Sequence, residues 1–308
     1  MQNDKKHGVK PWRWLYLGSL VLGSLVASAG VLACPPEGWT AERLRALKAA
    51  KFKLDDNEQR SQLALGLLAC LRSPDPEWRD GVAFEALSAW LRGGQLSGAT
   101  ARELGTRLRA ALAQPDEAGF GPPFAALALA EVARADRLRP LWTSAERDAV
   151  VTEAADFLKG IRDYRGFDPK QGWRHGVAHG ADLLMQLAMN PLLERAQLDR
   201  ILEAVASQVL AGADHAYIHG EGERLLRPVV FVARRMLHTE AEWTAWFGRV
   251  SLAAMPAPEA PTTLAALAQR HNARAFFYPL YAALQESGDA EMRKRLLPGL
   301  VAAVRTLN

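Results

Sequence analysis

Ser73-Pro74-Asp75-Pro76-Glu77-Trp78-Arg79-Asp80-Gly81-Val82-Ala83-Phe84-Glu85-Ala86-Leu87-Ser88-Ala89-Trp90-Leu91-Arg92-Gly93-Gly94 carries a helix together with its punctuation. Ser73-Pro74-Asp75-Pro76 ends one helix and starts the next, because proline is tolerated in a first turn and disfavours helix just before it. Phe84, Leu87 and Leu91 follow i, i+3, i+7, with Trp90 adjoining, so one face is apolar. Gly93-Gly94 then stops the helix.

The same grammar repeats outward along the chain. Thr40 caps a helix with Glu42 and Arg43 in its first turn, and Ser97 or Thr100 begins another. Asp55, Asp56 and Glu58 read as a solvated helix start. Pro115, Gly119 and Gly121-Pro122-Pro123 mark a loop, and Ala125, Leu127, Leu129, Val132 and Ala133 a helix after it. Thr143-Ser144-Ala145-Glu146 opens a helix that runs to about Gly160. Asn190-Pro191 closes a later one, a helix follows over about 194–211, and Thr239 caps another near Glu240 and Glu242. Pro256, Pro258 and Pro261 form a connector. Hydrophobic residues make up 49% of the 308, enough for a sizeable core. Helices of about 12 to 20 residues with short joins predict an all-α fold of stacked αα-hairpins. Asp75 to Asp80 before an apolar helix is similar to HEAT-type repeats, degenerate here because no strict period appears. A compact helical bundle or an α/α-toroid is the alternative. Residues 34–308 read as a single helical domain.

Chemistry concentrates in Gly172-Trp173-Arg174-His175-Gly176-Val177-Ala178-His179-Gly180-Ala181-Asp182. With a helix starting near Gly172, His175, His179 and Asp182 sit at i, i+4, i+7 and span about 60° of its circumference. Gly172, Gly176 and Gly180 lie on the adjoining stripe, where glycine implies close approach of a helix or ligand. Histidines at i, i+4 can ligate one metal, so a divalent metal on His175, His179 and Asp182 is one reading. The others are an acid–base site and a hydrogen-bonded His–Asp network packed on the Tyr164/Phe167 loop. Gly176 stands where the glutamate of a His-Glu-x-x-His zinc protease would be.

A second polar cluster holds Asp214, His215, Tyr217, His219, Glu221, Glu223 and Arg224. Gly220 and Gly222 make it a helix start, with Glu221 and Glu223 suiting the helix dipole and Arg224 a surface ion pair. In the sharper reading it faces the 175–182 helix and both line one pocket, with Tyr164, Trp173, Arg174, His215, His219, Glu223 and Arg224 binding a ligand. His271, Asn272, Arg274, Phe276, Phe277 and Tyr278 are a weaker candidate wall, and Trp243 and Trp246 read as core. The chain has no P-loop, Gly-x-Gly-x-x-Gly, Gly-x-Ser-x-Gly or EF-hand pattern.

Residues 1–33 read as an export signal: Lys5, Lys6, Lys10 and Arg13 precede an uncharged run from Leu15 to Ala33. Val31-Leu32-Ala33-Cys34 is similar to a lipobox, which would make Cys34 the lipidated first residue. Cleavage after Ala29 or Ala33, or an uncleaved anchor of about 19 to 20 apolar residues, are the alternatives. Each places the folded part outside the cytoplasm, at the periplasmic face of a membrane or in the periplasm. Without residues 1–33 the chain has 34 basic and 33 acidic side chains, a net of +1, so no nucleic-acid partner follows. Cys34 and Cys70 are the two cysteines. With Cys34 acylated, Cys70 is a buried thiol; otherwise a 34–70 disulfide is open to them.

Asp163 to Leu183, with Gly-Trp-x-His-x-x-Ala-His-x-x-Asp at its heart, resembles the bacterial domain-of-unknown-function family 2785. Gly220-Glu221-Gly222-Glu223-Arg224-Leu225 resembles that family's second motif, and Asp75 to Asp80 its early segment. The resemblance covers most of residues 40–300. It implies a helical domain with no established activity and supplies no catalytic residues. Two functional readings follow. One is an exported envelope protein that binds a protein or small molecule through 163–182 and 214–224. The other is a metal-assisted hydrolase using His175, His179 and Asp182, with Glu221 or Glu223 assisting.

Overall fold

The computed structural model of the chain describes residues 34–211, 214–257 and 259–308. The export segment expected at residues 1–33 lies outside the described residues. Helices follow one another as α1 (Ala41–Ala49), α2 (Asn57–Gly66) with a 3-10 turn (Leu67–Arg72), α3 (Pro76–Trp78), a π-helical stretch (Arg79–Phe84) running into α4 (Glu85–Arg92), α5 (Gly98–Leu112), α6 (Gly121–Leu138) and α7 (Ser144–Gly160). A two-stranded hairpin, β1 (Phe167–Asp168) and β2 (Gly172–Trp173), precedes α8 (Gly176–Ala188), α9 (Arg195–Val209), α10 (Glu221–Arg234), α11 (Glu240–Ala253), α12 (Leu264–Gln285) and α13 (Ala290–Thr306).

The caps explain the boundaries. Thr40, Asp56, Asp75, Ser97, Thr143, Thr239, Thr263 and Asp289 each accept a first-turn N–H. Thr143/Glu146 and Thr239/Glu242 close full capping boxes. The α4 stripe is core, with Leu87, Trp90 and Leu91 all buried.

The helices stack as αα-hairpins in two layers. α4, α6, α8, α10 and α12 pack one against the next, α5, α7 and α9 form the second layer, and α13 lies on both α11 and α12. Ion pairs run across the second layer: Arg109–Glu153 joins α5 to α7, Arg200–Asp148 joins α7 to α9, and Arg249–Glu203 joins α9 to α11. Gly180 lets α8 approach α7, since a Cβ there would meet Leu158 at 3.0 Å. Gly222 does the same for α10, where the backbone of Ala275 on α12 fills the space. The described residues all belong to one compact unit. Among them no helix is long and apolar enough to cross a membrane.

Cys34 and Cys70 are joined in a disulfide. This is the pairing left open to the two cysteines as the alternative to acylation of Cys34.

Asp136, at the end of α6, is fully buried and accepts five hydrogen bonds. Leu141 N and Trp142 N donate to Oδ1 at 2.8 and 2.9 Å, and Arg147 of α7 donates to both oxygens. Asn190, just past α8, donates to Oδ2 at 2.8 Å. Replacing one member leaves buried charge unpaired, which costs about 3–5 kcal/mol. Asp136→Ala is therefore expected to lower unfolding stability by that amount in urea melts, and Asp136→Leu combined with Arg147→Met by clearly less.

Candidate functional site

The hairpin is built by its turn. The Asp168 carboxylate accepts from Lys170 N and Gln171 N, both at 2.8 Å, and Gly172 takes φ +73°, which favours glycine. Phe167 then pairs across from Trp173. Two buried arginines fix its position. Arg79 donates to Gln171 O at 2.7 Å and to Ser73 O at 3.0 Å, and Arg174 donates to Ala118 O at 2.8 Å and Gln171 Oε1 at 2.7 Å. Both guanidinium groups stack on Phe120, at 4.1 and 4.4 Å from its ring centre. Arg174, expected to bind ligand, thus holds the hairpin.

α8 begins at Gly176, four residues later than the spacing predicted. His175 is its N-cap in the left-handed conformation, φ 60°. That breaks the expected single face of His175, His179 and Asp182. The His175 ring instead turns toward Trp173, with centroids 4.5 Å apart, and lies 5.9 Å from His179 and 6.5 Å from His219. His219 also meets Trp173 edge-on at 5.5 Å. Its imidazole occupies the space that a side chain at residue 166 would fill, so any larger residue there would displace the His219 ring. Tyr164 stacks on His215 at 5.0 Å and meets Tyr217 edge-on at 6.0 Å.

Asp182 does not join the imidazoles. Arg224 holds its carboxylate through both oxygens, the Nε bond at 2.9 Å, and Arg227 approaches to 3.7 Å. Asp182 and Arg224 bring the two segments into contact, whereas the expected His–Asp hydrogen-bonded network does not form. Among the described residues no three His, Cys, Asp or Glu side chains group so as to hold a metal ion. The ligand set His175, His179 and Asp182 is corrected accordingly: its carboxylate is spent on arginine and one imidazole lies off the helix. Glu221 is buried and accepts from His219 N at 2.9 Å, a backbone role, and Glu223 is exposed.

The second segment is positioned by groups whose partners are far away in sequence. Asn272 is fully buried, accepting from Tyr217 N at 2.7 Å and donating to His215 O at 2.9 Å. His271 meets Tyr217 O at 3.0 Å. The Tyr217 hydroxyl donates to Gln208 O at 3.0 Å, and Gln208 donates to Leu158 O at 2.6 Å. His271 and Asn272, expected beside an aromatic wall, act as a clamp, and Phe276 and Phe277 are core.

Burial keeps the His175 and His179 imidazoles neutral. Burial, then the nearby Arg224 and His219, push His175 down to about 4. Burial pushes His179 well below the ordinary range, aided by His175 and Arg224, with the Pro123 backbone pulling the other way. The Nδ1 atoms of both are buried without a protein partner. Trp173 is 38% and Phe167 52% exposed, their centroids 5.0 Å apart. A cavity of about 150 Å³ opens at the start of α8 between Pro122, Pro123, Phe157, Ile161 and Gly176, and none of these imidazoles lines it.

The profile of a family described as a protein of unknown function, DUF2785, matches residues 110–282. The chain belongs to the DUF2785 family. The match is narrower than the 40–300 expected, leaving α1 to α4 and α13 outside, yet it contains Phe167, Trp173, His175, His219 and the Asp136 network. No curated protein and no solved structure matches the chain.

A histidine whose folded pKa is depressed is protonated more readily in the unfolded chain. Its stability contribution is intact above pH 6.5 and is lost as pH falls toward about 4. For the partly exposed His175 this amounts to an expected loss on the order of 1–2 kcal/mol. Urea melts between pH 7 and pH 4 should show that decline, flattened in His175→Asn, a residue that tolerates the left-handed conformation. The Glu146 and Glu242 carboxylates, held down to about 2 by their capping and arginine hydrogen bonds, act in a more acidic window.

Proposed function

We propose that this DUF2785 chain is an exported helical binding protein whose ligand site is the face formed by Phe167, Trp173, His175 and His219. The observation that carries this reading is the exposed Phe167–Trp173 pair set over the His175 imidazole, which stays neutral. Large aromatics left open beside polar groups mark recognition sites more often than packing. Hydrolysis has less support. Asp182 and Glu221, the carboxylates that could orient a base or hold a metal, are committed to Arg224 and to the His219 amide. The site therefore recognises a polar, uncharged ligand and leaves it chemically intact.

Export is supported by the charge-then-apolar order of residues 1–33 and by the Cys34–Cys70 disulfide, which persists in oxidising compartments. The disulfide favours simple cleavage or an uncleaved anchor over lipidation, with the folded part in the periplasm or at the periplasmic face of a membrane. Intact-mass measurement of protein recovered from the envelope should find no lipid on Cys34, and thiol alkylation should succeed only after reduction. A lipid adduct would refute this.

The binding reading is tested by saturation-transfer NMR of the purified chain with a mixed set of neutral, acidic and basic small molecules. Neutral polar compounds should bind, keep their mass on long incubation, and lose their signal in His175→Asn. Conversion of a bound compound would turn the argument toward an enzyme.

A further inference from the structure

We infer that the Trp173 face takes a neutral saccharide ring, an inference that rests on the binding reading above. The indole of Trp173 and the phenyl of Phe167 pack on each other, their centroids 5.0 Å apart and their planes tilted 54°, so they form no parallel slot. A flat aromatic ligand gains most between parallel planes, whereas a sugar needs only one aromatic face for its ring of C–H groups. That face needs no deep cavity.

The polar rim fits the same ligand. His175 and His219 stand 6.5 Å apart with their planes at 77°, both beside the indole. Donors and acceptors on such differently oriented rings suit hydroxyls radiating from a saccharide better than the coplanar edge of a base. The neutral His175 imidazole has one donor and one acceptor nitrogen, and a hydroxyl can satisfy whichever of them is exposed. A wholly apolar ligand would leave those nitrogens desolvated and unpaired, which is unfavourable. Arg224 is paired with Asp182, whose carboxylate also meets Arg227 at 3.7 Å, and Glu221 accepts from the His219 amide, so a cationic ligand would find no unpartnered carboxylate among these groups.

The test uses the full chain, with N-acetylglucosamine trimer, cellotriose and maltotriose as probes and adenosine and a neutral dipeptide as controls. Calorimetry gives affinity, and histidine proton–carbon spectra locate the contact. At least one trisaccharide should bind with a Kd below about 1 mM and shift the His175 and His219 signals. Trp173→Ala, at an exposed position, should weaken it about tenfold or more while leaving the thermal melt in place. Trp173→Phe should restore part of the loss. If no trisaccharide binds, or if Trp173→Ala leaves binding unchanged, the saccharide assignment is overturned. Should adenosine or the dipeptide shift His175 and His219 in that case, the binding face stands and only its ligand class is wrong. If no probe moves either histidine, the face itself is refuted.

Discussion

The architecture depends on the buried carboxylate of Asp136. It sits where three helices of the stack come together, and its five hydrogen bonds leave none of them free to turn. Through Arg147 it fixes the start of α7, and through Asn190 the end of α8. Asn190 in turn offers its carbonyl to Arg235 at 2.7 Å, which also holds Pro191 and Leu193 and so ties in the end of α10. An apolar contact would hold these helices together but would let them slide; a buried ion pair with fixed directions sets their register. The opposite ends of α8 and α10 inherit that register, and there the histidines and Trp173 meet.

At those opposite ends, neither α8 nor α10 has a side-chain cap. α8 starts from His175 and α10 from Gly220, both in the left-handed conformation. The two adjacent helices thus present similar starts, and the residues just ahead of them turn back over the bundle. Gly166 admits His219, and the short hairpin brings Trp173 across. The site is a product of loop geometry on a rigid stack, the usual way in which a scaffold carries function.

Much of the scaffold was legible in the chain because its signals are local. Thr143 and Glu146 lie three residues apart and specify a helix start by themselves, and the Phe84–Leu91 stripe declares its buried face by period alone. The site was legible only as a neighbourhood. His175 was read onto a helix because histidine rarely takes a positive φ, and nothing in its immediate sequence announces one. The partner of Asp182 is Arg224, 42 positions away, so spacing along one helix pointed to the wrong neighbours. Strands of two residues are too short to alternate, which hid the hairpin. Arg174 was expected to bind ligand, yet Phe120 and a few carbonyls give it and Arg79 a buried place.

The Cys34–Cys70 bond gives the stack a direction. A solenoid held by nearest-neighbour contacts frays from its ends, since a terminal hairpin has a neighbour on one side only. Here the first hairpin is enclosed in a covalent loop spanning 36 positions. At the far end α13 is held by packing on α11 and α12 and by arginine contacts such as Arg270 and Arg274 with Leu307 O. The amino-terminal hairpin is thus closed by a covalent bond, whereas α13 rests on packing and hydrogen bonds alone, so the two are held by forces of different kind and different reversibility.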